Sequence, residues 1–352
     1  MRQKYPYWQR LLGRSLTSPK ELARSFGIDP APLMQVAARY PMRINSYYLG
    51  LIEAPGDPIW RQAVPDSLEL TDPVCPADPL NEENLSPAPG LVHKYADRAL
   101  FLVNSQCAMY CRFCTRKRKV GTSAMHRETG RQRLAAALAY LRRTPAIHDV
   151  LVSGGDPLLL PDEELSWLLT QLRAIPHLEI IRIGSRVPCT LPQRVTVKLA
   201  RLLKQFHPLY LNTHFNHPRE LTPLAAQACA RLADAGIPLG NQTVLLKGVN
   251  DNPAVIRELM RGLVRIRVKP YYLFQADLTQ GTDHFRTPVE TGLAIMKSLI
   301  GHTSGLATPT FALDAPGGGG KIPLAPAYVD SLGSTLRFTT YQGTPCSYPN
   351  PE

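Results

Sequence analysis

The chain has 352 residues, of which 44% are apolar and 7% aromatic, a composition typical of globular proteins. No apolar run approaches the ~18 residues that a membrane-spanning helix requires, and the first fifteen residues lack the apolar core of a secretory signal. We therefore expect a cytoplasmic protein. The net charge of +12 permits nucleic-acid binding, but apart from the RKRK run at 116–119 the basic residues are scattered, so anionic cofactors or substrates are the simpler explanation.

The first 97 residues are rich in proline and weakly periodic, with one clear helical stretch at 18–27. We expect them to form an N-terminal extension that is mostly helical or irregular and packs on the rest of the chain. From residue 98 onwards, β-rich and helical segments alternate. Strands are predicted at 98–104, 148–157, 179–186, 208–215, 237–246, 269–277 and 308–314. Helices are predicted at 131–143, 163–175 (with Asp162 as N-cap), 193–206, 223–236, 253–266 and 287–301.

Such an alternation predicts parallel β/α units with right-handed crossovers. Six units are too few to close an eightfold barrel, so the predicted fold class is α/β, a partial (β/α)6 TIM-like barrel. Its core spans 98–325, after the extension at 1–97 and before a C-terminal segment at 326–352. Function is then expected at the C-terminal ends of the strands. Residues of unusual chemistry follow those ends: Cys107 to Cys114, Gly154-Gly155-Asp156, Ser185-Arg186, His214, Asn241-Gln242, Asp277 and Asp314.

Three of the seven cysteines fall within eight residues, CAMYCRFC; these motif cysteines are Cys107, Cys111 and Cys114. In a chain without an export signal, such a cluster predicts a metal site rather than disulfides. Three thiolates can hold three irons of a [4Fe–4S] cluster and leave the fourth iron open. A zinc site would need a fourth protein ligand, and none stands at a typical spacing.

A second unusual stretch is DAPGGGGKIP, residues 314–323. It is not a phosphate-binding loop of the Walker type, because Ala315 stands where the first glycine is required and Ile322 where Ser or Thr is required. A flexible linker is the simple alternative, although β-like stretches flank the run on both sides.

The motif C-x₃-C-x-aromatic-C after the first barrel strand resembles that of the radical S-adenosylmethionine (SAM) superfamily. The resemblance implies that SAM chelates the open iron and that reduction releases a 5′-deoxyadenosyl radical. SGGDP at 153–157 is similar to the stretch that binds the SAM amino group in such enzymes, which makes Gly154, Gly155 and Asp156 candidate SAM ligands, although GGDP could equally be a turn. Ser185 and His214 are further candidates, and for His214 a buried structural role remains open.

The combination of CAMYCRFCTRKRK, HKYADR (93–98), YLFQADL with HFRTP, and PGGGGK is similar to the lysine 2,3-aminomutase family, from about residue 52 to 325. The resemblance implies that Lys321 forms a Schiff base with pyridoxal 5′-phosphate (PLP). Arg98 matches a contact to the PLP phosphate, and Gln242 matches a position that lines the pocket.

Substrate recognition also follows from the resemblance. Arg116 matches the residue that holds the substrate carboxylate, and the acidic pair Asp277 and Asp314 matches the residues that hold the distal ammonium of lysine. Relatives that act on glutamate lack this acidic pair, because two carboxylates would repel an acidic side chain. Either aspartate could instead be a helix cap or a turn residue.

The resemblance implies an isomerase that interconverts L-lysine and β-lysine by hydrogen abstraction and 1,2-amino migration. Three alternatives remain: the same chemistry on arginine or ornithine, supply of β-lysine for modification of a translation factor, and, more distantly, an iron–sulfur nucleic-acid-binding protein. The expected cofactors are a [4Fe–4S] cluster, SAM and PLP, without zinc, since Cys346 is the one cysteine after position 229. The expected partners are a small amino acid and a flavodoxin- or ferredoxin-type electron donor, with a homo-oligomer allowed and with neither nucleic acid nor membrane.

Overall fold

Nine strands form one sheet in chain order in the computed structural model, which describes residues 6–121 and 131–351. They are β1 (Leu91–Tyr95), β2 (Arg98–Asn104), β3 (Asp149–Gly154), β4 (Ile180–Gly184), β5 (Leu209–Thr213), β6 (Leu239–Leu245), β7 (Lys269–Gln275), β8 (Thr310–Ala315) and β9 (Gly320–Leu324). The strands from β2 to β8 run parallel, while β1 and β9 are antiparallel edge strands. The predicted partial barrel is confirmed, as six β/α units followed by a last parallel strand.

The helices of the described residues fall into two groups. The extension carries α1 (Tyr7–Gly13), α2 (Pro19–Phe26), α3 (Pro30–Arg39), α4 (Ser46–Leu49) and α5 (Pro58–Ala63). The barrel carries α6 (Arg131–Arg142), α7 (Asp162–Arg173), α8 (Val187–Thr190), α9 (Val197–Leu203), α10 (Pro223–Asp234), α11 (Pro253–Arg265) and α12 (Val289–Leu299). In the described residues, no helix combines the length and the apolar character that crossing a membrane would take.

Two details of the predicted barrel helices are wrong. Asp162 is the first residue of α7 and not its N-cap, because Pro161 takes that position without a side-chain cap. The Asp162 carboxylate instead pairs with Arg194 at 2.8 Å. The helix predicted at 193–206 begins only at Val197, because Thr196 caps it by accepting a hydrogen bond from the Leu199 N–H.

Both edge strands were missed by the periodicity. β1 lies inside the predicted extension, so the sheet begins at Leu91, before the boundary proposed at residue 97. β9 contains the end of the glycine run and pairs with β8, so the run is the turn of a hairpin and not a linker. Gly317, at φ 69°, makes that turn possible. A separate three-stranded sheet follows, formed by β10 (Val329–Ser331), β11 (Thr335–Thr339) and β12 (Pro345–Pro349).

The extension shares one hydrophobic core with the barrel. Leu22, Ile44, Tyr48 and Ile59 are fully buried and belong to the same cluster as the barrel residue Phe101. Burying these side chains contributes roughly 1.5–3 kcal/mol each. The extension is therefore part of the folded barrel, although its division from the core at residue 97 stays a prediction.

Carboxylates of the extension neutralise the RKRK run. Arg116 pairs with Glu82, Lys117 with Glu69, and Arg118 with Asp78. Glu69 is fully buried and also accepts from Arg112. Burial alone would raise the pKa of Glu69, but the two cations outweigh it and lower that pKa. The run is therefore an internal connection to the extension and not a free basic surface.

Replacing Glu69 by alanine tests this connection, because it leaves the buried Arg112 and Lys117 cations without their shared carboxylate. We expect the free energy of unfolding to fall by about 3–5 kcal/mol, the usual cost of removing one partner of a buried ion pair. The matched control is Glu83→Ala, whose side chain is 61% exposed and whose loss costs about 1 kcal/mol or less. Urea unfolding measures both variants, and equal losses would contradict the assignment.

Candidate active site

The segment that follows β2 carries the motif cysteines, and the extension holds it in place. Asn45 donates to the Ala108 carbonyl at 3.1 Å, and the Tyr110 N–H donates to the Arg43 carbonyl at 3.0 Å. The motif cysteines are all unpaired and partly buried. The chain thus presents three thiols from one anchored loop at the C-terminal end of β2.

The chemistry of these thiols fits an iron–sulfur cluster. Burial, followed by the charges of neighbouring acidic groups and thiols, raises the pKa of Cys107 well above its usual value, and burial and Cys111 raise that of Cys114 to about 11. Ionising them therefore requires a cationic partner such as iron. Three thiols on one loop are the ligand set that a [4Fe–4S] cluster with one open iron needs.

Arg186 is a residue of this site to which the sequence analysis assigned no role. Its Nη1 donates to Cys111 Sγ at 2.9 Å, and its Nη2 donates to Glu220 at 2.8 Å and to Gln62 at 2.6 Å. A guanidinium that donates to a cysteine sulfur stabilises negative charge there. Its position directly after β4 was the available signal, but the partners lie far away in the chain.

Gly154 and Gly155 pack against the backbone that leads into the cysteine loop. A Cβ on Gly155 would lie 2.3 Å from the Gln106 carbonyl oxygen, and one on Gly154 would lie 2.4 Å from the Asn104 oxygen. The Gly155 N–H donates to that Asn104 oxygen at 2.7 Å. Besides the expected approach of a ligand, these glycines therefore have a structural role, because the lack of a side chain lets β3 approach the cysteine loop.

Asp156 is buried, and the described chain itself supplies its hydrogen-bond donors. Its Oδ1 accepts from Ser185 Oγ at 2.7 Å, and its Oδ2 accepts from the backbone N–H groups of Arg186 (2.8 Å) and Val187 (3.1 Å). Burial raises the pKa of Asp156 to about 6, although these donors act to lower it. Asp156 and Ser185 thus orient the start of α8, and direct contact of either with SAM stays a prediction.

His214 lies directly after β5 with its ring against Phe113, at a centroid distance of 5.5 Å. Its Nε2 lies 3.0 Å from Asn216 Oδ1. That oxygen also accepts from the Val244 N–H, so Nε2 is the protonated nitrogen and Nδ1 is an acceptor. Burial, followed by Arg186, lowers the pKa of His214 to about 3. The ring is neutral at physiological pH and offers one lone pair.

Tyr95, on the first edge strand of the sheet, contacts both Arg98 of β2 and Lys321 of the other edge strand. The Arg98 guanidinium lies 3.8 Å from the Tyr95 ring centroid, and the Lys321 backbone N–H donates to the Tyr95 hydroxyl at 3.0 Å. Tyr95 thus brings the first and the last strand of the sheet together. Gln242 is half-exposed between the buried Asn241 and Thr243 of β6, so its side chain lies on the opposite face of the strand from theirs.

The acidic pair lies beside Lys321. Asp314 and Lys321 are direct strand partners, and the Lys321 Nζ donates to both Asp314 oxygens, at 2.7 and 3.0 Å. Burial, followed by the charge of Asp314, raises the pKa of Asp277 to about 7. The acidic pair lines a cavity of about 310 Å³ whose other walls include Leu80 and Val289. The structure therefore brings together both predicted aspartates and the predicted PLP lysine.

Arg116 stands two positions after the last motif cysteine, Cys114. Glu82 accepts from its Nε at 2.9 Å and from its Nη2 at 2.6 Å, in a buried bidentate pair. Within the described residues no hydrogen bond of Nη1 is seen, so that side of the guanidinium can take a further acceptor. Glu82 was missed because it stands in an irregular part of the extension, where nothing in the sequence indicates a partner.

Comparison with known proteins agrees with this geometry. Residues 102–260 match the family model of the radical SAM superfamily, and 296–352 match a family model described as lysine-2,3-aminomutase. The L-lysine 2,3-aminomutase of Acetoanaerobium sticklandii is 52% identical over 88% of this chain and 76% of its own length. That of Methanococcus maripaludis is 51% identical over 98% and 81%, and the glutamate 2,3-aminomutase of Clostridioides difficile is 44% identical over 88% and 74%.

The parallel barrel with its cysteine loop defines a radical SAM enzyme. Within that superfamily, the chain belongs to the lysine 2,3-aminomutase family. The match extends to residue 352 and not only to 325, where the sequence analysis placed its end. Membership implies a [4Fe–4S] cluster, SAM and PLP as cofactors, and the described residues fit them: three thiols for iron, and a lysine beside an arginine for PLP.

Changing Gly155 to alanine tests the contact between β3 and the cysteine loop. The new Cβ would overlap the Gln106 backbone at 2.3 Å, and backbone cannot move aside as a flexible side chain can. We expect the free energy of unfolding to fall by about 1–3 kcal/mol, and less iron to bind on anaerobic reconstitution. Gly305→Ala is the control, since nothing lies within 4 Å of its Cβ position. Normal iron content in the Gly155 variant would refute the role of this contact.

Proposed function

We propose that this enzyme interconverts L-lysine and β-lysine as a radical SAM, PLP-dependent 2,3-aminomutase. One observation supports this choice above the others: the cavity beside Lys321 is lined by the acidic pair, within otherwise largely apolar walls. Paired carboxylates favour a distal ammonium group and repel a distal carboxylate. The same chemistry on arginine or ornithine is the second candidate, because both substrates also end in a cation.

The cofactors supply the difficult chemistry: SAM on the cluster is the source of a 5′-deoxyadenosyl radical, and PLP supplies the π bond that a 1,2-shift of nitrogen needs. The protein binds, orients and excludes water. The motif cysteines would hold three irons. The backbone of Gly154 and Gly155 and the Nδ1 acceptor of His214 would contact SAM, with Asp156 and Ser185 shaping the same pocket from inside.

Lys321 would hold PLP; its Nζ lies on Asp314, which lines the cavity, and 4.7 Å from the Phe274 ring centroid. Arg98 would pair with the phosphate, because its charge is balanced in the described chain by Asp97 alone, and both side chains are well exposed. Gln242, half-exposed on β6, would line the same pocket. The shared contact of Arg98 and Lys321 with Tyr95 supports a single site for both ends of the cofactor.

Arg116 would bind the substrate carboxylate through its free Nη1 side, while Glu82 holds the opposite edge and so orients the guanidinium. The acidic pair would bind the distal ammonium. Two charged contacts at opposite ends of the substrate would then select for the length of its side chain. This arrangement would position the carbon between them for hydrogen abstraction.

We further propose a flavodoxin- or ferredoxin-type electron donor, a cytoplasmic location and a homo-oligomer. The net charge of +12 favours association with an acidic donor protein. The internal pairing of the RKRK run speaks against the nucleic-acid-binding alternative.

The direct test supplies the anaerobic enzyme with SAM, PLP, dithionite and L-lysine, and measures β-lysine. Asp314→Asn should reduce kcat/KM for lysine by a factor of about 30 or more, since an unpaired buried charge costs about 2–5 kcal/mol. Asp234→Asn, whose side chain is 68% exposed on α10, is the control and should change little. Turnover of arginine or ornithine, with none of lysine, would exclude the first candidate in favour of the second.

The raised pKa of Asp277 predicts a pH dependence. Below its pKa of about 7 the carboxyl group is protonated and neutral, so the acidic pair carries one charge less. We expect kcat/KM for lysine, which reports on the free enzyme, to rise with pH through about 7. Asp277→Asn should remove this rise.

The raised pKa of Asp277 also affects the free energy of unfolding, which changes with pH in the opposite direction to kcat/KM. The folded protein retains a proton on Asp277 between its ordinary pKa of 3.8 and about 7, where the unfolded chain has lost it. The contribution of Asp277 to the free energy of unfolding therefore falls as pH rises through that window.

A wild-type pH–rate profile identical to that of Asp277→Asn would show that Asp277 does not titrate as described.

A further inference from the structure

The position of the Lys321 side chain carries an inference that rests on the proposed function and goes beyond it. In β9, Lys321 is the strand partner of Asp314 in β8. Its ammonium lies 2.7 and 3.0 Å from the two oxygens of that carboxylate. The residue proposed to hold PLP therefore lies on one of the two carboxylates proposed to hold the substrate's distal ammonium.

The electrostatics of the acidic pair explain this contact. Two carboxylates in a partly buried cavity repel each other, and a cation between them relieves the repulsion. In the described chain, no hydrogen-bond donor or ion pair reaches the Asp277 side chain, and Lys94 stands 3.9 Å from Asp314. Among the described residues, Lys321 is the cation that donates hydrogen bonds to Asp314.

A lysine side chain of the protein and a lysine substrate present the same chemical group, a primary ammonium at the end of four methylenes. Either one satisfies Asp314 with the same charge-assisted hydrogen bonds. The two ammonium groups cannot both bind Asp314 in this way at once, because Lys321 already donates to both of its oxygens. Occupancy by Lys321 therefore competes with binding of the distal ammonium.

We propose that Lys321 fills the distal-ammonium site of the enzyme while PLP is absent and competes there with the cationic substrate, until the cofactor draws Lys321 away. To hold PLP, the Lys321 ammonium would give one proton to solvent, and its two remaining protons would leave as water with the aldehyde oxygen of the cofactor. The lysine nitrogen would then be withdrawn from Asp314, which leaves the two carboxylate oxygens free for the substrate ammonium.

The chain offers a matched pair of variants. Lys321→Met keeps an unbranched side chain, shorter by one atom, and the backbone N–H that bonds Tyr95, but it removes the ammonium. Lys94→Met removes one charge from the same neighbourhood without removing a hydrogen bond to Asp314. The two variants therefore have the same net charge and differ in whether the proposed internal occupant is present.

The experiment uses the full chain with its cluster reconstituted anaerobically and PLP withheld, and titrates L-lysine by calorimetry. The dissociation constant of Lys321→Met should be at least about tenfold lower than that of the wild type, because an occupied site is available only for the fraction of time that it is free. Lys94→Met should differ from the wild type by much less. L-norleucine, which lacks the distal ammonium, should bind all three proteins alike.

Equal affinity of Lys321→Met and the wild type for lysine would overturn the proposal, as would an equal gain in Lys94→Met, which would attribute the effect to net charge. Should Lys321→Met fail to fold, Lys321→Gln provides the same comparison. The proposed function fails separately, if the holoenzyme with PLP does not convert lysine. Turnover of lysine by the holoenzyme without any gain in Lys321→Met would leave that function standing and overturn the internal occupant alone.

Discussion

The pairing of β8 with β9 is the constraint on which the candidate site depends. Turning the chain back through the glycine run sets Lys321 opposite Asp314, and the Lys321 backbone reaches Tyr95 on the first strand of the sheet. One hairpin thereby places the PLP lysine, one half of the acidic pair and the closing contact of the barrel. Moving the register by one residue would turn Lys321 to the opposite face of the strand.

The cysteine loop depends on a second set of contacts, made from both of its sides. Backbone of Gly154 and Gly155 packs against it from β3, where a side chain would not fit. From the extension, Glu69 and Glu82 bind the arginines and lysine that surround the last motif cysteine. The loop is therefore held from two sides, by β3 and by the extension. A flexible loop would hold the three thiols less precisely for a rigid cluster.

The barrel could be predicted because its strands and helices differ in hydrophobic period and repeat at a regular spacing. The edge strands could not: β1 is short, and β9 contains both a glycine and a proline, so neither resembles a strand locally. The start of α9 at Val197 depends on a cap at Thr196, a local signal that the longer helical periodicity concealed. The composition of the glycine run is compatible with several structures, because its pairing with β8 is what makes it a turn.

The sequence by itself determined the alternation of strands and helices, the three thiols of one short loop, and the residue types that a PLP site and a cationic substrate need. Only the tertiary structure decided which of those groups are free. Asp156 bonds inward to Ser185, Glu82 occupies one edge of Arg116, and Lys321 lies on Asp314. These outcomes depend on contacts between distant residues, such as Glu82 and Arg116, which stand 34 positions apart. Periodicity and motifs report on neighbouring positions, so they cannot show how a charge is shared across the fold.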